Sequence, residues 1–145
     1  MRKIHFYTVG YQNKTPILLR DILRKHKIEL LIDIREIPHS RVAGFSKERL
    51  KCFLEKDGLE YLHIGELGSP KKLRQKARLD GDLEYFFRLF RKHLKKQKEQ
   101  LSEVVEKIGG KPVCLMCLEE DHRNCHRKIV AEEISNLVPA EVEHL

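Results

Sequence analysis

The chain of 145 residues contains no tryptophan and no long apolar run. A membrane-spanning helix needs about 18 consecutive apolar residues, so the sequence excludes such a helix and no membrane partner is expected. The amino-terminal stretch MRKIHFYTVG starts with basic residues, but its apolar run is too short for a secretory signal, which predicts a cytoplasmic protein. The chain has only four cysteines, and in that reducing compartment a structural disulfide is not expected.

Acidic residues are outnumbered: 29 lysines and arginines stand against 22 aspartates and glutamates, for a net charge of +7. A basic surface favours anionic partners, either small molecules or nucleic acid. The same abundance of Lys, Arg and Glu also suits a heat-resistant surface covered with ion pairs. The net charge therefore favours an anionic partner but does not distinguish a small molecule from a nucleic acid.

Short apolar segments alternate with helical patterns along the whole chain. Strands are predicted at residues 4–9, 29–35, 59–64, 112–117 and 140–145. Helices are predicted at residues 17–26, 46–57 and 83–108, the last with a break near Gln97, and again from residues 124–125 onward, while residues 65–82 read as a long basic loop. This alternation predicts one α/β domain over residues 1–145, with a mostly parallel five-stranded sheet between helical layers in a Rossmann-like arrangement.

Candidate functional residues follow the predicted strands. In open α/β sheets, ligands bind in the crevice at the carboxyl ends of the strands. Side chains that titrate or bind anions are concentrated at that edge. They are Tyr11 after the first strand, Arg35, Ser40 and Arg41 after the second, His63 and Glu66 after the third, and Cys117, Glu119, Cys125, His126 and Arg127 after the fourth.

The segment CLMCLEEDHRNCHRK holds three of the four cysteines. Cys114 and Cys117 are an odd number of residues apart on a strand, so they point to opposite faces and Cys114 is expected in the core. Cys125 lies near the start of the last helix, where backbone amides and the helix dipole lower the pKa of a thiol. His126 could act as an acid–base group beside it, and Arg127 could bind an anion.

The spacing Cys117-x5-Arg123 matches the phosphate-binding loops of cysteine phosphatases and rhodaneses, and LIDIRE is similar to the LIDVRE strand of rhodanese domains. Such loops need small residues so that their amides can turn inward. Here Glu119, Glu120 and Asp121 would repel a phosphate, so a classical rhodanese reaction is not expected.

Zinc is a further alternative, with Cys117, His122, Cys125 and His126 as possible ligands. The Cys-x7-Cys spacing is not a standard zinc motif, and adjacent side chains diverge on a helix. We therefore expect no metal and no other cofactor. A metal-binding module is kept as the third functional hypothesis.

Four ordered motifs resemble the DUF488 family of uncharacterised prokaryotic domains: TVGYQNKT, LIDIREIPHSRVAGFSKERL, LEYLHIGELG and CLEEDHRNCHR. The resemblance covers nearly the whole chain. It implies that the family's motif residues here are Gly10, Tyr11, Asp33, Arg35, Pro38, Ser40, Arg41, Phe45, His63, Leu67, Gly68, Cys117, Glu119, Cys125, His126 and Arg127. It implies no reaction, because the family has no known function.

The first functional hypothesis is an enzyme acting on an anionic substrate that carries a phosphate or carboxylate. Cys125 or Cys117 would be the nucleophile, His126 the acid–base group and Glu119 an orienting carboxylate. The residues expected to bind the substrate are Tyr11, Arg35, Ser40, Arg41, His63, Glu66 and Arg127. The sequence leaves open the substrate, the reactive thiol and the oligomeric state.

The second hypothesis is a protein that binds or processes nucleic acid. Its phosphate contacts would come from the predicted basic loop and from the segment RKHLKKQK. The loop cations are Lys71, Lys72, Arg74, Lys76 and Arg78.

Overall fold

The computed structural model describes residues 3–121, 123 and 125–145. The strands are β1 (Ile4–Gly10), β2 (Leu30–Asp33), β3 (Glu60–His63), β4 (Val113–Cys117) and β5 (Ala140–His144). The helices are α1 (Pro16–Lys25), α2 (Lys47–Glu55), α3 (Lys71–Asp80), α4 (Leu83–Lys95), α5 (Lys98–Gly110) and α6 (Arg127–Leu137). Within these residues, no helix is long and apolar enough to cross a membrane.

All five strands run parallel in the order β3-β2-β4-β1-β5, so the predicted α/β fold is confirmed. Side chains of a strand alternate between the two faces of a sheet. On β2, Leu31 packs with the buried side of α1 and α2, whereas Leu30 and Ile32 pack with α4, α5 and α6. The continuous apolar run of β2 thus reflects a strand covered on both faces. The carboxyl ends of β1, β2 and β4 meet at the centre of one edge.

Local signals set the ends of several helices as predicted. Thr15 caps α1, where its side-chain oxygen accepts a hydrogen bond from the Leu18 amide at 3.1 Å, and Pro16 takes the first helical position. The break near Gln97 separates α4 from α5. Ser46 occupies the cap position of α2 but makes no capping bond. Its hydroxyl instead accepts from the Ser40 amide at 3.1 Å and ties down the loop after β2.

The prediction of a long loop over residues 65–82 was wrong. Residues Gly65–Leu67 form a 3₁₀ turn, and α3 follows it. α3 buries none of its residues, so its sequence lacks the apolar periodicity by which a helix is usually predicted. Its sequence KKLRQKARLD nevertheless consists largely of strong helix formers. Gly81 ends the helix with a φ of 66°, a left-handed conformation that glycine adopts without strain.

The last helix begins later than predicted. Its first residue is Arg127 and His126 is its cap position, so Cys125 lies in the connection that precedes it. The predicted start near residues 124–125 includes Asn124, which is outside the described residues. Cys125 thus precedes the helix, while His126 already has helical dihedral angles at the cap position.

Candidate functional site

A cavity of about 470 Å³ opens at the sheet edge where β1, β2 and β4 end. Five of the residues expected there line it: Tyr11, Arg35, Glu119, Cys125 and His126. The other lining residues come from the loop after β2, from α3 and the residue Ser69 before it, from the start of α4 and from the loop after β4. They are Glu36, Ile37, His39, Ser69, Arg74, Ala77, Arg78, Leu83, Phe86 and Leu118. Sequence segments more than 100 residues apart thus form one hollow around Cys125.

Five expected substrate-binding residues do not line this cavity: Ser40, Arg41, His63, Glu66 and Arg127. Ser40 stabilises its own loop, since its hydroxyl accepts from the Val42 amide at 3.0 Å. Arg41 is exposed on that same loop. His63 donates from Nε2 to the Arg35 carbonyl at 2.7 Å, and the Glu66 carboxylate accepts from the Gln100 amide at 3.3 Å. From these contacts, we interpret Ser40 and His63 as residues that stabilise the loops at the carboxyl edge of the sheet.

Arg35 is held by a buried network. Its Nε and Nη2 atoms donate to the two carboxylate oxygens of Asp33 at 2.8 and 2.7 Å, and Nη1 donates to the Tyr11 hydroxyl at 3.3 Å. The Tyr61 hydroxyl also donates to Asp33. Burial alone would lower the pKa of Arg35, but the hydrogen bonds and charge of Asp33 raise it above its ordinary value. Arg35 therefore stays protonated at the cavity wall, and the carboxylate of Asp33 balances most of its charge.

Arg127 is fully buried behind the cavity and is absent from its lining. Its Nε donates to the Thr8 hydroxyl at 3.1 Å, Nη2 donates to the Glu120 carbonyl at 3.0 Å, and Nη1 donates to the Glu119 carbonyl. These contacts fasten the loop after β4 to β1. The expectation that Arg127 binds substrate is corrected to a positioning role, because its donors are directed at the protein's own backbone.

The sulfurs of Cys117 and Cys125 lie within bonding distance of each other, a contact that the expectation of reduced thiols did not include. The contact arises because the connection after β4 returns Cys125 to the end of that strand. Cys125 lines the cavity, whereas Cys117 is fully buried and does not. Cys114 lies in the core as predicted, where burial raises the pKa of its thiol above the ordinary value and leaves it unreactive.

His126 has a fixed tautomer. Its Nε2 lies 3.2 Å from the Ile34 carbonyl, which can only accept, so Nε2 carries the proton. Nδ1 then carries a lone pair, and this nitrogen lies 3.7 Å from the Cys125 sulfur. Burial lowers the pKa of His126 to about 4, although the bond to Ile34 opposes the shift, so the imidazole is neutral at physiological pH.

Cys117, Cys125 and His126 are also the residues that could hold a metal ion, since their ligand atoms lie within 4.8 Å of one another. We expected Cys125 and His126 to diverge on a helix. They precede α6, and both turn to the cavity. Once reduced, two thiolates and an imidazole nitrogen would suit a soft metal such as zinc. The fourth candidate ligand, His122, lies outside the described residues.

The sequence interpretation missed the contribution of α3 to the cavity. Arg74 and Arg78 line it from this helix, and Arg74 pairs with Glu36 at 3.2 Å. The available signal was the run of helix formers between Pro70 and Gly81, which favours a helix despite its polar character.

Gly10 allows the loop after β4 to lie against β1. A Cβ atom at this position would overlap the Glu119 carbonyl and would lie 2.7 Å from Nη1 of Arg127. Both groups are held in place by the hydrogen bonds of Arg127.

We expect Gly10→Ala to lower the free energy of unfolding by about 1–3 kcal/mol, the usual cost of an inserted methyl group in a packed region. Chemical denaturation measures the change. Gly109→Ala is the matched control, because a Cβ atom there meets nothing within 4 Å. Equal stability of both variants would contradict the close approach at Gly10.

The comparison with family models gives a match to a domain of unknown function, DUF488, over residues 18–134. Neither the curated proteins nor the solved structures contain a match to the chain. The matched range includes β2, β3, β4 and every residue of the cavity except Tyr11.

Proposed function

Because the chain belongs to the DUF488 family, whose description names no activity, we propose from the site itself that the protein is an enzyme acting on a small anionic substrate through Cys125. The observation that carries this proposal is the placement of Cys125 and His126 in a cavity that arginines also line. The reactive form is the reduced one, because only a thiolate is nucleophilic.

The surroundings of Cys125 favour a thiolate. The Arg127 amide at the start of α6 donates to the sulfur at 3.5 Å, and the positive end of the helix dipole lies at the same place. Nδ1 of the neutral His126 lies 3.7 Å from the sulfur. A nucleophile with an oriented donor beside it is a component of covalent catalysis.

We ascribe a preference for anions to three arginines of the cavity lining, which stand against the carboxylates of Glu36 and Glu119. Arg35 is neutralised by Asp33, and Arg74 is paired with Glu36. Arg78 is exposed on α3, and no carboxylate within the described part of the chain forms a salt bridge with it. Arg78 is therefore the cation with the most charge left for a substrate phosphate or carboxylate.

The substrate would also have an apolar portion. Ile37, Leu83 and Leu118 line the cavity with exposed fractions of 56%, 39% and 41%, high values for large aliphatic side chains. Covering them with a ligand gains about 25 cal/mol for each Å² of apolar surface removed from water. A molecule with an anionic end and an apolar body fits this lining.

Alkylation of the reduced protein tests the proposal. We expect iodoacetamide to modify Cys125 faster than the exposed Cys52, because the thiolate form is favoured only at Cys125. Inorganic phosphate, compared with chloride at equal ionic strength, should slow the modification of Cys125 and leave Cys52 unchanged. Peptide mapping by mass spectrometry reports both rates.

Arg78→Gln should weaken the protection by phosphate. Lys72→Gln should leave it intact, since Lys72 lies on the same helix but outside the cavity lining. Modification of Cys125 no faster than that of Cys52, or protection that is insensitive to Arg78, would contradict the proposed site.

Nucleic-acid binding is the second candidate, favoured by the five cations of α3, a helix that buries no residue. We expect a combined Lys71→Gln, Lys72→Gln and Lys76→Gln variant to reduce the salt dependence of binding to a short duplex if phosphates are contacted. Fluorescence anisotropy at several salt concentrations measures it. Absence of binding by the unaltered protein at low salt would exclude this candidate.

A further inference from the structure

We infer that Cys125 and Cys117 form a thiol–disulfide exchange pair, in which Cys125 attacks a small anionic disulfide in the cavity and Cys117 resolves the product. This inference rests on the proposed function, since it uses the same thiolate and the same cavity. It goes further by naming the substrate class and by giving the second cysteine a chemical role.

The two cysteines differ in their relation to the cavity, although both are buried, Cys125 with 2% of its surface exposed and Cys117 with none. Cys125 lines the cavity, so a disulfide bound there is placed next to its sulfur. Cys117 does not line the cavity, and its sulfur lies against that of Cys125. This asymmetry assigns the first attack to Cys125 and the second to Cys117.

Both sulfurs have donors that stabilise a negative charge. Nη1 of Arg127 lies 3.5 Å from the Cys117 sulfur, and the amide of Arg127 lies 3.5 Å from the Cys125 sulfur. One residue thereby supports either thiolate as the negative charge moves between them. A thiolate with a stabilised charge is also the better leaving group when the bond is reopened.

The atoms and electrons of the exchange balance, and no metal or other cofactor is required. The Cys125 thiolate attacks one sulfur of a substrate RSSR, forms the mixed disulfide Cys125–SR and releases RS⁻. The Cys117 thiolate then attacks the Cys125 sulfur, forms the Cys117–Cys125 disulfide and releases the second RS⁻. The protein dithiol is oxidised, and RSSR is reduced to two thiols. The reverse sequence, driven by excess thiol, regenerates the dithiol.

The cysteine pair joins neighbouring parts of the chain rather than distant elements. Its sequence separation is 8, so a bond between the two sulfurs would stabilise the fold less than one that closes a long loop. Two clusters of buried side chains, one on each face of the sheet, already form the core. A pair at the edge of the sheet, one member of which lines a cavity, is well placed for chemistry.

A matched pair of probes tests the inference: the disulfide of mercaptoethanesulfonate, which is anionic, and the disulfide of mercaptoethanol, which is neutral. All proteins carry Cys52→Ser to remove the exposed thiol. With Cys117→Ser added, we expect one adduct per chain, on Cys125, because the resolving thiol is missing. With Cys125→Ser added instead, we expect no adduct, because the Cys117 sulfur is buried.

The Cys52→Ser protein itself should release two equivalents of thiol and end with the Cys117–Cys125 disulfide, which peptide mapping identifies. The anionic probe should react about fivefold faster than the neutral one, as one extra charge contact predicts, and Arg78→Gln should remove this preference. An adduct on Cys117 in the absence of Cys125 would overturn the inference. So would a persistent mixed disulfide on Cys125 when Cys117 is present, or a tightly held zinc ion that prevents the reaction.

These outcomes are separate from those of the alkylation test. A reactive, phosphate-protected Cys125 that never pairs with Cys117 would leave the proposed enzyme standing and remove the exchange pair. An unreactive Cys125 would remove both.

Discussion

Replacement of Asp33 by asparagine is expected to lower the free energy of unfolding by about 3–5 kcal/mol, the cost of removing one partner from a buried ion pair. Asp33 is fully buried and accepts two hydrogen bonds from the Arg35 guanidinium. Without the carboxylate charge, Arg35 remains a cation in a site with little water. The Tyr61 hydroxyl would also lose a charged acceptor.

Urea denaturation with Asp21→Asn as control measures the effect, since Asp21 forms an exposed pair with Arg20. The double variant Asp33→Asn, Arg35→Met should be less destabilised than the sum of the two single variants, because it leaves no uncompensated charge. A loss for Asp33→Asn as small as that for Asp21→Asn would refute the buried pair.

Acidification is expected to destabilise the disulfide-bonded protein through His126. Its pKa is about 4 in the folded protein, against 6.5 for an unperturbed imidazole. Between these values the unfolded chain binds the proton and the folded protein does not, so stability falls as the pH falls. The contribution is complete above pH 6.5 and is lost by about pH 4, and the pKa difference corresponds to about 3 kcal/mol.

The measurement compares the unfolding free energy of the unaltered protein with that of His126→Gln across this pH range. Glutamine can donate to the Ile34 carbonyl but does not titrate. His39→Gln is the control, because His39 is an exposed residue of the same cavity lining. The difference between the unaltered protein and His126→Gln should change by about 3 kcal/mol from pH 6.5 to pH 4. A difference that is independent of pH would contradict the lowered pKa of His126.

The layered fold could be predicted because its strands and most of its helices carry apolar periodicity. β2 has an uninterrupted apolar run, and α4 buries Phe86, Phe90 and Leu94 along one stripe. α3 could not be predicted in this way, since its stability comes from helix propensity and from contact with α4 rather than from a buried face.

The position of the candidate site could be predicted, because parallel strands bring their carboxyl ends to one edge. Sequence reasoning could not tell which polar groups at that edge face a ligand and which face the protein. Arg127 and Arg78 show the difficulty, since both are arginines near the cavity. Only the packed structure shows that Arg127 is buried under the loop after β4, whereas Arg78 lines the cavity from α3.

The polar character of α3 has a consequence for the range of molecules the protein can accept. Segments that bury few apolar side chains open at low free energy, independently of the rest of a domain. We therefore expect the α3 wall of the cavity to open more readily than the sheet edge below it. Under the proposed function, displacement of this single helix would admit ligands of different bulk, while Cys125 keeps its place between β4 and α6.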